Sequence, residues 1–363
     1  MDLCLFVTHN CPLGCSYCYS TPKMDVNMTL ETAKKSVDFA LSHSHDEFQL
    51  SFFGGEPLLM WDLMQKATAY AREKCSEKSI PPVFTVTTNG VLLDEEKCKW
   101  LKDQEFHIAV SIDGNDRMHD CCRTYPDGSS SHDDSVRGAK IVQAYYEKFE
   151  LVSVVTPENV NYLYEGVEYL IKEGFTDITL NPDFYSEWNE AQLDNWTEQF
   201  KLIGNLYIDC FRNNSPVRIS FIDSKIITHL KNGYEQCDKC RFGLDEMAVA
   251  PSGNIYPCER LVGNDTGEHI IGDIYNGFDV QRMVEIKNGN GFASNEECLE
   301  CELAPRCMNW CHCVNIALTG DMNTTDGIVC FHEKMTIEIA DYVGGVLFSE
   351  KNPAFMARFY GLR

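Results

Sequence analysis

Three cysteines stand near the start of the chain, Cys11, Cys15 and Cys18, in the run CPLGCSYC. Thiolates spaced by three and then two residues can wrap one cubane iron–sulfur cluster and leave its fourth iron without a protein ligand. An iron left open in this way can bind an exogenous ligand. The competing chemistry is structural zinc, which prefers paired C-x2-C motifs and needs a fourth ligand, for which His9 is the nearby candidate. A second group lies far downstream. It comprises Cys237, Cys240 and Cys258, then Cys298, Cys301, Cys307 and Cys311 in the spacing C-x2-C-x5-C-x3-C, and Cys330. The chain has 18 cysteines in 363 residues. Without a secretory signal, that number points to metal ligation and not to a disulfide framework. The C-x2-C pairs alone leave iron–sulfur clusters and zinc both open. Cys313 stands beside the array as a spare, and Cys121 and Cys122 form an isolated pair.

These residues need elements to position them. The sequence predicts strands over 2–8, 49–53, 83–87, 107–112, 151–155 and 177–181. Amphipathic stretches lie between them near 29–43, 61–77, 95–103, 135–149 and 160–173. Such alternation means βαβ units and a parallel sheet. Six units suit a partial barrel, whose chemistry sits at the C-terminal ends of its strands. The cysteine triplet follows the first strand, FFGGEP the second, TTNG the third and SIDG the fourth. After a helix near 192–213 the pattern changes. Residues 247–258 read as a hairpin, and a final helix over 333–346 leads to an aromatic tail. The expected division is a barrel over 1–214, a bridge over 215–234, a cysteine-rich module over 235–346 and a tail over 347–363.

Composition narrows the function further. A formal charge of -24 disfavours binding to a nucleic-acid backbone. No run of 18 apolar residues occurs, so no membrane-spanning helix is expected. The N-terminus lacks the features of a signal peptide, which implies a cytoplasmic location.

Cys-x3-Cys-x2-Cys after the first strand, with Tyr17 before the last cysteine, resembles the signature of the radical SAM superfamily. The resemblance implies an α/β fold, a partial (β/α)6 TIM-like barrel followed by a small cysteine-rich SPASM domain. It also implies that S-adenosylmethionine chelates the open iron of a 4Fe–4S cluster and is cleaved to a 5′-deoxyadenosyl radical. On that pattern Tyr17 lies near the adenine, and Gly54, Gly55 and Glu56 form the GGE motif that binds the methionine amino group. Asn89 and Ser111 line the same pocket, with Ser111 on the methionine carboxylate or ribose. Asn89 and Asp113 read equally well as strand-end turns. The stretch His119-Asp120-x2-Arg123 resembles the HDxxR of peptide-modifying members. The downstream cysteines resemble the SPASM array, which implies two auxiliary 4Fe–4S clusters and three in all. Cys237, Cys240, Cys258 and Cys311 would hold the first, and Cys298, Cys301, Cys307 and Cys330 the second.

The implied activity is oxidation of a precursor peptide to a thioether or carbon–carbon crosslink. An electron donor such as ferredoxin or flavodoxin would be needed. With ten residues before Cys11 no leader-binding domain is expected, so leader recognition falls to a separate protein or to the bridge near 215–233, or is not needed. An anaerobic sulfatase-maturating enzyme, which makes formylglycine, is the nearest alternative. Asp223 reads either as its general base or as a helix cap. A non-catalytic metal scaffold would have no use for the GGE motif.

Overall fold

The structure is a computed structural model that describes residues 1–20, 23–44, 46–289 and 296–361. The alternation read from the sequence appears as β1 (Asp2–Thr8), α1 (Leu30–His43), β2 (Phe48–Gly54), α2 (Trp61–Lys78), β3 (Pro82–Thr88), α3 (Glu95–Asp103) and β4 (Phe106–Ser111). It continues through α4 (Asp116–His119), α5 (His132–Tyr145), β5 (Glu150–Val155), α6 (Leu163–Lys172), β6 (Asp177–Pro182) and α7 (Glu190–Arg212). Each barrel strand hydrogen-bonds in parallel with the next. Leu3, Leu5, Leu50, Phe52, Phe84, Val86, Ile108 and Val110 alternate along the strands and are buried under the helices. Helix starts are set by side chains that accept otherwise unpaired N–H groups. Thr29 accepts from Thr32 N at 3.0 Å, and Asn189 with Gln192 forms a reciprocal capping box.

Residues 215–234, the expected bridge, include β7 (Arg218–Ile219), which pairs with β6, and α8 (Ser220–Lys231). The predicted hairpin is β8 (Glu246–Val249) with β9 (Asn254–Tyr256), and β8 pairs in parallel with β1, Asp2 opposite Glu246. Short strands β10 (Gly272–Asp273) and β11 (Gly277–Phe278) extend that edge. The result is one open sheet in the order β11-β10-β9-β8-β1-β2-β3-β4-β5-β6-β7. The cysteine-rich segment is therefore welded to the barrel's first strand, because Phe6 buries its outer face against Ala248, Ala250 and Tyr256.

Five further helices complete the described chain: α9 (Val280–Gly289), α10 (Glu296–Leu299), α11 (His312–Thr319), α12 (Gly327–Ser349) and α13 (Pro353–Tyr360). Residues 290–295 of the predicted cysteine-rich module and 362–363 of the predicted tail lie outside the described residues. Helix α12 is longer than the sequence suggested, starting at its Asp326 cap. It is locked to α8 by a buried ion pair, Lys225 Nζ to Glu333 at 2.6 Å. Glu333 also accepts from Met308 N at 2.6 Å, so the pair has further hydrogen bonds to offset its desolvation. The tail folds back as α13, where Phe355 meets Phe211 and Asn352 donates to the Phe211 carbonyl.

Candidate active site

A cavity of about 280 Å³ opens at the C-terminal ends of β1 to β6. Cys11, Cys15, Cys18, Tyr17, Gly54, Gly55, Glu56, Asn89 and Ser111 all line it. Lys23 donates to Cys18 Sγ at 3.0 Å, and Asn89 Nδ2 points at Cys11 Sγ from 3.6 Å. The donor set fits a cluster with one open iron, because three thiols ring the cavity and His9 does not line it. His9 instead packs on the Phe6 ring at 4.8 Å. Burial pushes the Cys11 thiol up to about 11. A bound metal reverses that preference by holding the thiolate.

The two glycines are dictated by close backbone approach. Gly54 has φ +133°, and a Cβ there would stand 2.4 Å from the Thr8 carbonyl; one on Gly55 would stand 2.1 Å from the Asn10 carbonyl. The approach is fastened by Gly55 N to Thr8 O at 2.7 Å and Glu56 N to Asn10 O at 2.9 Å. The end of β2 thus supports the loop that carries Cys11. The Glu56 carboxylate is fully buried and turned into the protein. It accepts from Leu58 N at 3.0 Å, Thr88 Oγ1 at 2.8 Å and Asn89 N at 2.8 Å. Burial raises its pKa, and these three donors oppose the rise. Asn89 Oδ1 accepts from Val91 N at 3.1 Å, so this residue makes the strand-end turn with one amide atom and faces the thiols with the other.

Behind Tyr17 lies a brace that explains HDxxR. The Tyr17 hydroxyl donates to Asp113, which is fully buried, is absent from the cavity lining, and pairs with Arg123 at 3.4 Å. Asp113 also accepts from Val154 N at 2.9 Å. His119 Nδ1 accepts the Asp113 N–H at 3.3 Å, and Nε2 meets Ser131 Oγ at 3.0 Å, which itself donates to the Arg123 carbonyl. That chain requires the neutral Nε2–H tautomer, in keeping with a His119 pKa lowered by burial and then by Arg123. Asp120 accepts from Ser131 N.

Sequence reasoning missed part of the wall. Phe53, Asn181, Asp183 and Tyr185 line the cavity from the ends of β2 and β6, and Glu259 and Arg260 reach in from the residues after Cys258. The signal was available, since the ends of other strands were already singled out and Glu259 follows an expected metal ligand. The Arg260 guanidinium lies 5.2 Å over the Tyr19 ring. Asp223 is the opposite case. It lines a separate cleft with Thr176, Asp177 and Arg218, at the N-terminal end of β6, across the barrel from the thiol triplet. There it accepts from Ile219 N at 3.1 Å and Arg358 at 3.2 Å. This cleft lies apart from the one lined by the thiol triplet, and protein donors hold the Asp223 carboxylate there. Cys121 and Cys122 also lie outside the cavity lining.

The downstream cysteines divide into two places. Cys298, Cys301, Cys307 and Cys330 line one cavity of about 620 Å³, next to Asn309 and Glu333. Cys258, Cys311 and Cys313 gather beside Arg260, with Cys311 and Cys313 sulfurs 3.7 Å apart. Among the described residues no three His, Cys, Asp or Glu side chains converge on a point as one metal ion requires.

A thiol triplet at the mouth of an open parallel barrel, with glycine-cradled backbone beside it, defines a class of enzyme that binds a small ligand against a metal cluster. Residues 5–200 match the sequence profile of the radical SAM superfamily, and the chain belongs to that superfamily. Membership implies S-adenosylmethionine and a 4Fe–4S cluster. Among relatives, the uncharacterized protein MJ0907 of Methanocaldococcus jannaschii is 34% identical over 179 residues, 49% of this chain and 61% of its own length. The radical SAM cyclopropyl synthase TigE of Paramaledivibacter caminithermalis is 23% identical over 85% of this chain and 66% of its own length. The chain thus spans under two thirds of both. The cysteine-type anaerobic sulfatase-maturating enzyme of Clostridium perfringens is 23% identical over 83% of this chain and 85% of its own length. The fold is shared with anSMEcpe bound to AdoMet, with TM-score 0.81, 22% identity and coverage of 96% and 99% of the two chains. It is shared also with Streptococcus suis SuiB bound to precursor peptide SuiA, with TM-score 0.62, 16% identity and coverage of 91% and 75%. Among the described residues no helix is long and apolar enough to cross a membrane.

Proposed function

We propose that this chain oxidises a residue of a ribosomally made precursor peptide and joins it into a thioether or carbon–carbon crosslink. One observation carries the reading: the cavity that holds the thiol triplet is completed by Glu259 and Arg260, beside the downstream thiols. SuiB, solved with a bound precursor peptide, supports a peptide substrate. When bound, S-adenosylmethionine and a 4Fe–4S cluster on Cys11, Cys15 and Cys18 would supply the radical chemistry, and clusters on the downstream thiols would supply an electron acceptor.

The chain's own residues do the rest. Tyr17, Gly54, Gly55, Glu56, Asn89 and Ser111 shape the S-adenosylmethionine pocket, and Phe53, Tyr19 and Tyr185 wall it from water. Oxidation of a carbon radical also sheds a proton. Of the cavity's carboxylates, Glu56 is held by three internal donors, and Asp183 by Tyr185 N and Ser186 Oγ. Glu259, which accepts a long hydrogen bond from the Cys258 thiol at 3.6 Å, is the carboxylate assigned to accept it. A ferredoxin or flavodoxin would deliver electrons, and a separate protein would present the leader.

Formylglycine formation is the second reading, favoured by the 99% coverage of anSMEcpe against 75% of SuiB. The test is anaerobic reconstitution with dithionite and S-adenosylmethionine, scored for 5′-deoxyadenosine, followed by peptide assays. A crosslinked product weighs the same as its peptide less two hydrogens; formylglycine from cysteine exchanges sulfur for oxygen and also loses two hydrogens. No 5′-deoxyadenosine would remove both readings.

A further inference from the structure

Spacing along the chain assigned Cys237 to the first auxiliary site, but the folded chain puts another thiol there. Cys237 is exposed on a short turn, its Sγ facing Glu235 at 3.7 Å. That turn is fastened by Glu235 N to Asp238 at 2.9 Å and by Lys231 to Asp238 at 3.2 Å, so bringing Cys237 inward means breaking both.

Cys313 is only 6% exposed and its Sγ lies 3.7 Å from that of Cys311. It touches the Cys258 thiol, and Cys240 lies within electrostatic range of both Cys311 and Cys313. Cys311 is the N-cap residue of α11 and Cys313 its second residue, so the two thiols share one short turn of chain. The Arg260 guanidinium also faces Cys311 and Cys313.

We propose that Cys240, Cys258, Cys311 and Cys313, and not Cys237, hold the first auxiliary cluster. The assignment rests on the proposed function only in needing that cluster to exist. A separation of 3.7 Å is that of hydrogen-bonded thiols, and a χ1 rotation parts them when each takes its own iron.

The test counts iron in anaerobically reconstituted full-length protein, with electron paramagnetic resonance as a second readout. The wild type should hold about twelve irons, Cys237→Ser about twelve and Cys313→Ser about eight. Iron loss in Cys237→Ser, or a full count in Cys313→Ser, overturns the assignment. A wild-type count of about four removes the auxiliary clusters themselves, and the ligand set with them. Should Cys313→Ser misfold by circular dichroism, anaerobic iodoacetamide labelling of the wild-type holoprotein decides. Alkylation of Cys237 with all iron retained supports the assignment; protection of Cys237 until iron is chelated overturns it.

Discussion

The Glu56 carboxylate takes the backbone N–H of Asn89 at 2.8 Å, tying the end of the second strand to the end of the third. Held by three protein donors, this carboxylate can keep the cradle in shape while it also lines the cavity. Glu56→Gln weakens hydrogen bonds worth about 1.5–3 kcal/mol each when one partner is charged. The expected result is a lower melting temperature even without S-adenosylmethionine, together with weaker binding of it by calorimetry. Unchanged apo stability with lost affinity would return the carboxylate to direct contact with the methionine ammonium.

Arg123 neutralises the fully buried Asp113, which in turn holds the Tyr17 hydroxyl. Arg123→Met leaves a buried carboxylate uncompensated and should cost about 3–5 kcal/mol in denaturant unfolding. Tyr17→Phe removes one donor only and should cost about 1.5–3 kcal/mol or less. An Arg123 variant as stable as wild type would show that the brace does not bear on the fold.

Replacing Cys11, Cys15 and Cys18 together by Ala should lower the iron count from about twelve to about eight and abolish 5′-deoxyadenosine formation. Stoichiometric zinc after anaerobic purification would sink the auxiliary clusters.

Glu259 and Asp223 are separated by one comparison. Glu259→Gln should still yield 5′-deoxyadenosine while product formation falls by roughly 10²–10⁴-fold, the range for a positioned base. Asp223→Asn should keep product formation per cluster and lose stability instead, because its partners are Ile219 N and Arg358. The reverse pattern would restore Asp223 as the base.

Glu333 offers a pH test. Burial pushes its carboxyl up, but His332 and Lys225 outweigh it and hold the value at about 2. A depressed carboxyl contributes stability above its unfolded value of about 4.3, and that contribution is lost as pH falls toward about 2. Acid unfolding of the wild type should therefore steepen across that window, and Glu333→Gln should remove the slope. Glu333→Gln alone also strands the buried Lys225 ammonium, costing about 3–5 kcal/mol, whereas Lys225→Met with Glu333→Leu should recover most of it.

The alternating strands and helices, the triplet after the first strand, and the motifs after the next three were all legible in the sequence. Each is a local pattern: a side-chain period, a cap such as Thr29, or a glycine forced by close backbone approach at Gly54 and Gly55. Local patterns also placed Cys11, Glu56, Asn89 and Ser111 at strand ends, and strand ends of a parallel barrel share one face. What spacing could not encode was direction over long distance. The pairing of β8 with β1 brings Glu259 and Arg260 into the cavity, through a register between Asp2 and Glu246 that no neighbouring residue announces. The β7 turn faces Asp223 toward Arg358 at the opposite end of the barrel. The fold alone separates exposed Cys237 from buried Cys313, because a thiol's neighbours are set by packing and not by its distance along the chain.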